Sequence, residues 1–370
     1  MKFVYFTHSL TSCWNHGNAH FLRGVLRELQ SGGHEVAVYE PKGAWSLANL
    51  LADHGEQGLQ PFHEAYPELA STMFDETSGF ERTLADADVV IVHEWNEPWV
   101  VAAIGDLRRR SGRFLLFFHD THHRAVSDPQ AIRRLDLSRY DAVLAFGATL
   151  VDAYRREGWG NRAFVWHEAA DIRLFRPPAE EGHRRGLVWI GNWGDGERTA
   201  ELETFLLRPA KAAGVGLDVY GVRYPVPALA MLAGYAARYR GWLPNPRVPS
   251  VFAQHFATIH VPRRFYVDRL PGIPTIRVFE ALACGIPLIC APWEDIEGLF
   301  EPGRDYLVAH SEAEMERHLA AVRDDPDLRR SLVANGLAVI RQRHTCAHRA
   351  AELLAIATQL GSVRGLEMVA

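Results

Sequence analysis

Short apolar runs alternate with longer amphipathic segments along nearly the whole chain, and this alternation limits the available folds more than any other feature. In the first half the apolar runs are residues 3–8, 35–39, 89–93, 114–119, 142–146 and 163–166. Segments with helical periodicity lie between most of them, at residues 19–30, 98–110 and 149–157. Strands that alternate with helices pair in parallel through right-handed crossovers. The first half therefore predicts a parallel α/β sheet, although residues 45–81 give no clear pattern.

A second series of the same kind follows residues 173–178, where two consecutive prolines indicate a linker. Its strands are predicted at residues 187–190, 217–220, 239–243, 257–261, 287–291 and 306–309. A chain of 370 residues exceeds what one hydrophobic core usually organises. We predict an α/β fold with two Rossmann-like domains facing across a cleft, at residues 1–175 and 176–345. Residues 346–370 should form a C-terminal helix that packs back toward the first domain.

Composition and charge indicate which binding partners and which cellular compartment to expect. The formal net charge of −5 at pH 7 disfavours non-specific binding to nucleic acid. None of the four cysteines follows a metal-binding or disulfide spacing. With no signal-peptide pattern and no apolar run long enough to span a bilayer, we expect a cytoplasmic protein. Peripheral membrane contact through the arginine-rich segment at residues 101–113 is a minor alternative to a solvated helix face.

The most informative segment is a loop rich in proline and glycine that leads into a predicted helix. The N-cap residue of that helix is expected to be Thr275. The amides of Ile276, Arg277 and Val278 would then bind an anion, with support from the helix dipole. A cation at position 277 is unfavourable in a first turn unless an anion such as a diphosphate lies nearby. Glu280 lies on the same face and could accept hydrogen bonds from ribose hydroxyls; the alternative is an ordinary surface ion pair.

Three other segments of the second half follow predicted strands and should reach the same edge of the sheet. A glycine-rich turn there permits close approach of the backbone to a phosphate, and the arginines could neutralise its charge. The candidate binding residues in these segments are Gly191, Asn192, Arg198, Tyr220, Gly221 and Arg263.

The first half offers a smaller set of candidates at the ends of its predicted strands. Gly17 and Asn18 join the first strand to the first helix. Glu94 follows the strand at residues 89–93, and His119 ends the next strand. Because the carboxyl ends of parallel strands share one edge of a sheet, we expect these residues to face the predicted cleft.

The loop and helix around Thr275 resemble the donor-site motif of retaining glycosyltransferases with the two-domain GT-B fold. The likeness rests on Pro271, Arg277, Phe279-Glu280-Ala281 and Cys284-Gly285, and it is closest to the CgeB-like group. Residues 188–193 and 297–303 extend it, and residues 170–177 resemble the bridge between domains in family 4 enzymes. One position departs from the broader family, which has a glutamate touching the donor sugar where this chain has Gly272.

The resemblance implies a retaining transferase of the hexosyltransferase type, without a cofactor. The arginines and helix amides of the predicted site would stabilise the leaving diphosphate without a divalent metal. Its donor would be a UDP-, GDP- or TDP-sugar, and its acceptor a small molecule, a glycan or a peptide. By resemblance Arg198 and Arg277 lie against the diphosphate, and His119 lies beside the donor sugar. The amides of Gly17 and Asn18 would lie near the diphosphate in such enzymes, and Glu94 is a candidate for orienting the acceptor.

Other functions remain as alternatives at this stage. The Gly-x-Gly-x-x-Gly pattern of nicotinamide enzymes is missing after the first strand. A metal hydrolase could use His119, Asp120, His122 and His123, which are suitable ligand types at a strand end. A nucleotide-sugar 2-epimerase would share the fold and the donor site. A non-catalytic nucleotide-sugar-binding protein would also share the fold and the donor site, but it would not catalyse a reaction.

Overall fold

The computed structural model describes residues 1–179, 182–194 and 196–364, except the side chains of residues 363 and 364. Asp195 of the glycine-rich turn and the last six residues of the predicted C-terminal helix lie outside the described residues. The chain divides into two compact units. The N-terminal unit contains Met1–Glu168 and the segment that begins at Cys346, and the C-terminal unit is Ala169–Thr345. Residues 169–175, predicted with the first domain, thus lie in the second unit.

Seven parallel strands form the sheet of the N-terminal unit. They are β1 (Lys2–Phe6), β2 (Glu35–Pro41), β3 (Thr72–Phe74), β4 (Val89–His93), β5 (Leu115–Asp120), β6 (Ala142–Ala145) and β7 (Ala163–Val165). Their order across the sheet is β3-β2-β1-β4-β5-β6-β7. Every residue of β4, β5 and β6 is buried, because helices cover both faces of a parallel sheet.

The helices of this unit follow its strands in the predicted alternation. They are α1 (Ala19–Ser31), α2 (Trp45–His54), α3 (Gln60–Ala65), α4 (Pro98–Ser111), α5 (Arg124–Ser127), α6 (Pro129–Arg133) and α7 (Ala148–Arg156), with 3₁₀ turns at Glu56–Leu59 and Gly160–Arg162. α4 ends at Gly112, whose φ of 65° is the left-handed conformation that favours glycine. Its residue Arg108 is buried against Asp141 at 3.1 Å, so α4 packs on the sheet rather than presenting all its arginines outward.

Six parallel strands form the sheet of the C-terminal unit. They are β8 (Leu187–Ile190), β9 (Leu217–Tyr220), β10 (Arg238–Gly241), β11 (Ala257–His260), β12 (Leu288–Cys290) and β13 (Leu307–Val308). Their order is β10-β9-β8-β11-β12-β13. The chain leaves β8 toward one edge and returns to β11 to build the other, so the strand order reverses between β8 and β11. Ligands of open α/β sheets bind at the carboxyl ends of the strands at such a switch point.

The helices of the C-terminal unit carry clear capping signals. They are α8 (Thr199–Leu202), α9 (Arg208–Ala212), α10 (Val226–Gly234), α11 (Val248–Phe252), α12 (Arg264–Asp268), α13 (Ile276–Cys284), α14 (Glu312–Asp324) and α15 (Pro326–Arg343), with a π-helical turn at Glu203–Leu207 and a 3₁₀ turn at Asn245–Arg247. Ser311 accepts a hydrogen bond from the amide of Glu314, and Asp325 accepts from the amides of Asp327 and Leu328.

The last helix, α16 (Cys346–Arg364), belongs to the N-terminal unit and packs against α1. The indole Nε1 of Trp166 donates a 2.9 Å hydrogen bond to the carbonyl of Arg349. Across the part of the chain that the structure describes, no helix combines the length and apolar character needed to cross a membrane. The predicted α/β fold with two Rossmann-like, parallel-sheet domains is confirmed.

Candidate functional site

The N-terminus of α13 lies at the switch point of the C-terminal sheet. Thr275 occupies the N-cap position, but its hydroxyl is hydrogen-bonded to His260 Nε2 at 3.1 Å instead of capping the helix. The amide of Val278 donates to the carbonyl of Thr275 at 3.0 Å. Of the three amides predicted to be free, the one at position 278 is therefore used by the helix itself. The amides of Ile276 and Arg277 have no acceptor within the helix, as is usual in a first turn.

Glu280 is completely buried, which excludes the alternative of an ordinary surface ion pair. Its Oε2 pairs with the guanidinium of Arg277, and its Oε1 accepts a 2.8 Å hydrogen bond from Asn245 Nδ2. Sequence reasoning missed Asn245, which reaches Glu280 from the turn after β10. The carboxylate is therefore held in one orientation from two sides.

His260, the last residue of β11, links this helix to the neighbouring loops. The residue is 5% exposed, and within the described ranges its Nδ1 atom has no hydrogen-bond partner. Burial, together with the charges of Arg198 and Arg277, lowers the pKa of His260 to about 3. The imidazole is therefore neutral at pH 7 and can donate or accept one further hydrogen bond.

Arg198 connects the loop after β8 with the loop after β11. Its guanidinium donates to the carbonyl of Val261 at 2.7 Å and to the carbonyl of Asn192. Burial lowers the pKa of Arg198 to about 10, so the side chain still carries its charge at pH 7. The predicted phosphate contact is therefore a half-buried positive charge between the two loops, with both Nη atoms bonded to backbone carbonyls.

The glycines of the turn after β8 make room for Arg198. A Cβ atom at Gly194, whose φ is +91°, would lie 3.1 Å from Arg198 Cγ and Nε. A Cβ atom at Gly191 would lie 3.0 Å from a ring carbon of Trp189 and 3.4 Å from Arg198 Nη2. The sequence pattern predicted close approach of this backbone to a phosphate, whereas the side chain of Arg198 occupies that space in the structure.

Tyr220 and Gly221 end β9 beside the same turn. The amide of Gly191 donates to the carbonyl of Tyr220 at 2.9 Å, which continues the pairing of the strands into the loops. Gly221 lies so close to the carbonyl of Gly191 that a Cβ atom would be 2.3 Å from that oxygen. Gly221 is thus required by packing between two loops, independently of any ligand.

Arg263 follows β11, as predicted, and its side chain extends toward the loop after β8. Its Nη1 atom pairs with Glu197 Oε2 at 3.2 Å, and each side chain is 24% exposed. A partly exposed pair of this kind can exchange its carboxylate for a stronger anion at little cost.

Gly272 has a φ of +88°, a conformation that strains any residue with a side chain. A Cβ atom there would lie 2.5 Å from Cγ1 of Ile296. The glutamate that the resemblance expects at this position would therefore strain the backbone at position 272 and displace the side chain of Ile296.

In the N-terminal unit, His119 lies in β5 and is 3% exposed. Its ring lies 4.7 Å from the ring of Trp166 and 5.5 Å from that of His93. Within the described residues its Nε2 atom has no hydrogen-bond partner. Burial lowers the pKa of His119 to about 3, so the ring is neutral at pH 7.

Glu94, predicted to face a cleft, is buried beneath the segment that follows β5. Its Oε1 accepts from the amide of Thr121 at 3.1 Å, and its Oε2 accepts from Arg124 Nε at 3.0 Å. Burial and the neighbouring carboxyl of Asp120 raise the pKa of Glu94 well above its usual range. Asp120 itself accepts a 2.6 Å hydrogen bond from the hydroxyl of Tyr154. Glu94 thus positions a loop and presents no free oxygen to a substrate.

Gly17 and Asn18 lie in the loop before α1, where Gly17 is exposed. Asn18 Nδ2 donates to Glu168 Oε1 at 3.1 Å. Among the described residues, no acceptor receives a hydrogen bond from either backbone amide. Two adjacent amides of this kind can bind an anion, so both residues remain candidates.

The metal-hydrolase alternative required His119, Asp120, His122 and His123 to meet around one point. The His122 amide donates to Asp120 Oδ1 at 3.0 Å, and His123 Nδ1 is hydrogen-bonded to Ser127 at 2.8 Å. Over residues 1–179, 182–194 and 196–364 there is no group of three or more His, Cys, Asp or Glu side chains arranged to hold a metal ion. The geometry of the described residues gives that alternative no support.

A family model described as glycosyl transferase-like matches residues 198–355. The matched segment begins at Arg198 and contains α13 with Arg277 and Glu280. It thus covers most of the C-terminal unit and the first part of α16. No curated protein sequence matches the chain.

Several solved structures are similar over almost the whole chain. Sucrose-phosphate synthase from Thermosynechococcus elongatus superposes with a TM-score of 0.67 at 14% identity, covering 98% of this chain and 100% of its own. Anabaena HepE, in complex with UDP and glucose, gives 0.66 at 13% identity, with coverages of 97% and 100%. The chain has the GT-B fold. The T4 phage β-glucosyltransferase, in complex with its UDP-glucose substrate, shares this GT-B likeness at a TM-score of 0.59, 13% identity, and coverages of 99% and 100%.

Within the C-terminal half of this GT-B chain, one continuous series of contacts joins the predicted residues. Arg198 bonds to the carbonyl of Val261 beside His260, His260 bonds to Thr275, and α13 then presents Arg277 and Glu280. Sequence reasoning missed His260 as a member of this series. Its position as the last residue of a buried strand was the available signal.

Proposed function

We propose that the chain is a glycosyltransferase that moves a hexose-type sugar from a nucleoside-diphosphate sugar to an acceptor hydroxyl. Transfer proceeds with retention, without a divalent metal and without a cofactor. The observation that carries this proposal is the series of contacts from Arg198 through His260 and Thr275 to α13, within the segment that matches a glycosyl transferase-like family model.

The chemistry of the leaving group supports the assignment. Breaking the bond between the sugar and the diphosphate leaves negative charge on the departing oxygen and positive charge on the anomeric carbon. Preorganised donors aimed at the developing charge are the most effective way to lower such a barrier. The amides of Ile276 and Arg277 and the guanidinium of Arg277 supply these donors. The positive charge of Arg198, whose Nη atoms are bonded to backbone carbonyls, adds electrostatic stabilisation. Arg263 adds a further cation when it exchanges Glu197 for a phosphate.

Glu280 is suited to bind the ribose of the donor, because a carboxylate accepts two hydrogen bonds from vicinal hydroxyls. Ribose hydroxyls would replace Arg277 or Asn245 as partners of the carboxylate, and Arg277 would then be free to contact phosphate. HepE and the T4 β-glucosyltransferase were solved with UDP or UDP-glucose, which makes UDP-sugars the first donors to test. GDP- and TDP-sugars are the other donors that we expect.

In the N-terminal unit we assign a substrate contact to His119 and a positioning role to Glu94. Within the described residues, Nε2 of the neutral His119 imidazole is buried without a hydrogen-bond partner, and a sugar hydroxyl that reached it would satisfy it. Glu94 acts through Thr121 and Arg124, whose segment it holds. Gly17 and Asn18 offer amides to an anion, and the acceptor is a small molecule, a glycan or a peptide. Peripheral membrane contact through α4 stays a prediction.

The first test is a thermal-shift screen of the full chain against UDP, GDP, TDP and ADP sugars. At least one should raise the melting temperature, and Arg277→Ala should remove the shift because it removes the cation at the helix N-terminus. Arg304→Ala is the matched control, since Arg304 forms an exposed ion pair with Glu301 elsewhere in the same unit. If no donor stabilises the wild-type chain, the proposed function is wrong.

Proton NMR of the preferred donor distinguishes a transferase from a 2-epimerase on the same fold. A transferase hydrolyses its donor slowly without acceptor and yields a product with retained anomeric configuration. An epimerase converts the donor to its 2-epimer and incorporates solvent deuterium at C2. Appearance of either epimerase signal in the absence of acceptor would overturn the proposed reaction, and binding without any turnover would favour a non-catalytic binding protein.

A further inference from the structure

The loop after β12 occupies the space beside Gly272, at the entry to α13. A Cβ atom at Gly272 would lie 2.5 Å from Ile296 Cγ1 and 3.4 Å from Glu297 Cγ. These two residues supply the three heavy atoms nearest to that position. At Gly272 the loop that leads into α13 therefore presents only backbone, and the loop after β12 supplies the nearest side chains.

The backbone around Glu297 is held in place by local hydrogen bonds. Asp295 Oδ2 accepts a 2.6 Å hydrogen bond from the amide of Phe300. The amide of Gly298, whose φ is +64°, donates to the carbonyl of Asp295 at 3.2 Å. These bonds close a turn over residues 295–300, and this turn carries Ile296 and Glu297. Ile296 is 56% exposed and Glu297 is half-buried, so both border solvent beside Gly272.

A sugar attached to a diphosphate at α13 must lie next to that helix N-terminus. Two segments adjoin this helix N-terminus: the loop before α13, and the loop after β12 that packs on it at Gly272. Ile296 offers only apolar surface there, whereas the carboxylate of Glu297 has two oxygens that accept hydrogen bonds from hydroxyl groups. Of the two residues that supply the atoms nearest to a Cβ at Gly272, Glu297 is the ionisable one.

We propose that Glu297 determines donor specificity by accepting hydrogen bonds from hydroxyl groups of the donor sugar. This inference rests on the proposed function, because it takes the diphosphate at α13 as its reference point. Glu297 acts on the sugar alone and leaves the nucleoside diphosphate to Arg277 and Glu280. The apolar surface of Ile296 lies beside it and suits the C–H face of a pyranose ring.

The test compares the dissociation constants of a nucleotide sugar and its free nucleoside diphosphate by calorimetry on the full chain. The probes are UDP-glucose with UDP, GDP-mannose with GDP, and TDP-glucose with TDP, and the pair that the wild-type protein binds is carried forward. Glu297→Gln should weaken binding of the nucleotide sugar about tenfold, which is the scale of one lost charged hydrogen bond. Binding of the free nucleoside diphosphate should not change.

Glu294→Gln is the matched control, because Glu294 is an exposed carboxylate three residues earlier in the same loop. It should change neither constant. Glu297→Asp, which keeps the charge on a shorter side chain, should give an intermediate loss and guards against a failure of the glutamine variant to fold. Equal weakening of both ligands by Glu297→Gln, or no weakening of either, overturns the inference. Failure of every probe to bind the wild-type protein overturns the proposed function instead.

Discussion

The hydroxyl of Tyr224 donates a 2.6 Å hydrogen bond to the carbonyl of Gly191, so the loop after β9 is tied to the loop after β8. Gly221 lies between them, and a Cβ atom at that position would be 2.4 Å from a ring carbon of Tyr224. The relationship fixes the backbone of the turn that carries Asn192, which in turn accepts a hydrogen bond from Arg198. The geometry around Arg198 thus depends on one glycine from a neighbouring strand.

We therefore predict that Gly221→Ala lowers the free energy of unfolding by about 1–3 kcal/mol, the usual cost of forcing a methyl group into a packed site. It should also weaken nucleotide binding, because the two loops must separate. The control is Gly234→Ala, at a helical glycine where a Cβ atom would meet nothing within 4 Å. Urea unfolding measures both variants. Equal midpoints for the two would contradict the role assigned to Gly221.

Replacement of Glu280 by glutamine should affect both binding and stability. The buried carboxylate is bonded to Arg277 and Asn245, so its loss costs about 1.5–3 kcal/mol in the free energy of unfolding. Nucleoside-diphosphate affinity should fall by a similar free energy, measured by calorimetry well below the melting temperature. Glu301→Gln, which breaks an exposed pair with Arg304, is the control for both measurements. A variant that melts early yet binds normally would restrict Glu280 to a structural role.

Acidification should destabilise the N-terminal unit through its buried histidines. Burial lowers the pKa of His8 to about 4 and those of His16 and His119 to about 3. The unfolded chain takes up protons near the ordinary value of 6.5, whereas the folded chain does not until pH 3–4. The free energy of unfolding therefore falls as pH decreases through this window, by about 1.4 kcal/mol per pH unit for each histidine.

His119→Gln should remove one such contribution. The stability lost between pH 6 and pH 5 should be smaller in this variant than in the wild-type protein by about 1 kcal/mol. The raised pKa values of Glu94 and Asp120 act in the opposite direction, but they contribute equally to both proteins. Urea unfolding at the two pH values gives the comparison, with a glutamine replacement of the exposed His63 as the control. Parallel losses in all three proteins would refute the assignment.

Transfer should not require a divalent metal, because the chain supplies cations of its own at the proposed diphosphate site. Treatment with a chelator should leave the rate of transfer largely unchanged. Arg277→Ala should lose most of that rate, and magnesium should not restore it. Loss of activity in chelator followed by recovery with a metal ion would contradict this expectation. It would favour a metal site in the segment from His119 to His123.

Much of the fold could be predicted from the sequence because each buried strand is a short apolar run. β4, with Val89-Val90-Ile91-Val92, is readable in this way, and so are the helix that Gly285 ends and the cap at Asp325. β3 was not predicted because it has three residues, two of them exposed, at the edge of the sheet. Such a strand owes its pairing to β2 and shows no periodicity of its own.

The sequence predicted which residues form the candidate site better than it predicted their hydrogen-bond partners. Arg277 and Glu280 lie three positions apart on one helix, so local periodicity brought them together. Asn245 lies 35 positions from Glu280 and meets it because α11, which follows the turn at Asn245, packs against α13; no local sequence pattern encodes this contact. The glycines near Arg198 show the same limit. Their pattern predicted that a group lies close to the backbone, but not that this group is the side chain of Arg198.

The position of α16 has a consequence for the order in which the chain can fold. The C-terminal unit is one uninterrupted segment, whereas the N-terminal unit needs α16 to cover α1 and to accept the hydrogen bond from Trp166. During synthesis at about 5–20 residues per second, Ala169–Thr345 is fully translated before α16 emerges from the ribosome. The N-terminal unit begins to be translated first, but its last helix is translated after the whole C-terminal unit. Until then, the surface of α1 that α16 covers stays without its packing partner.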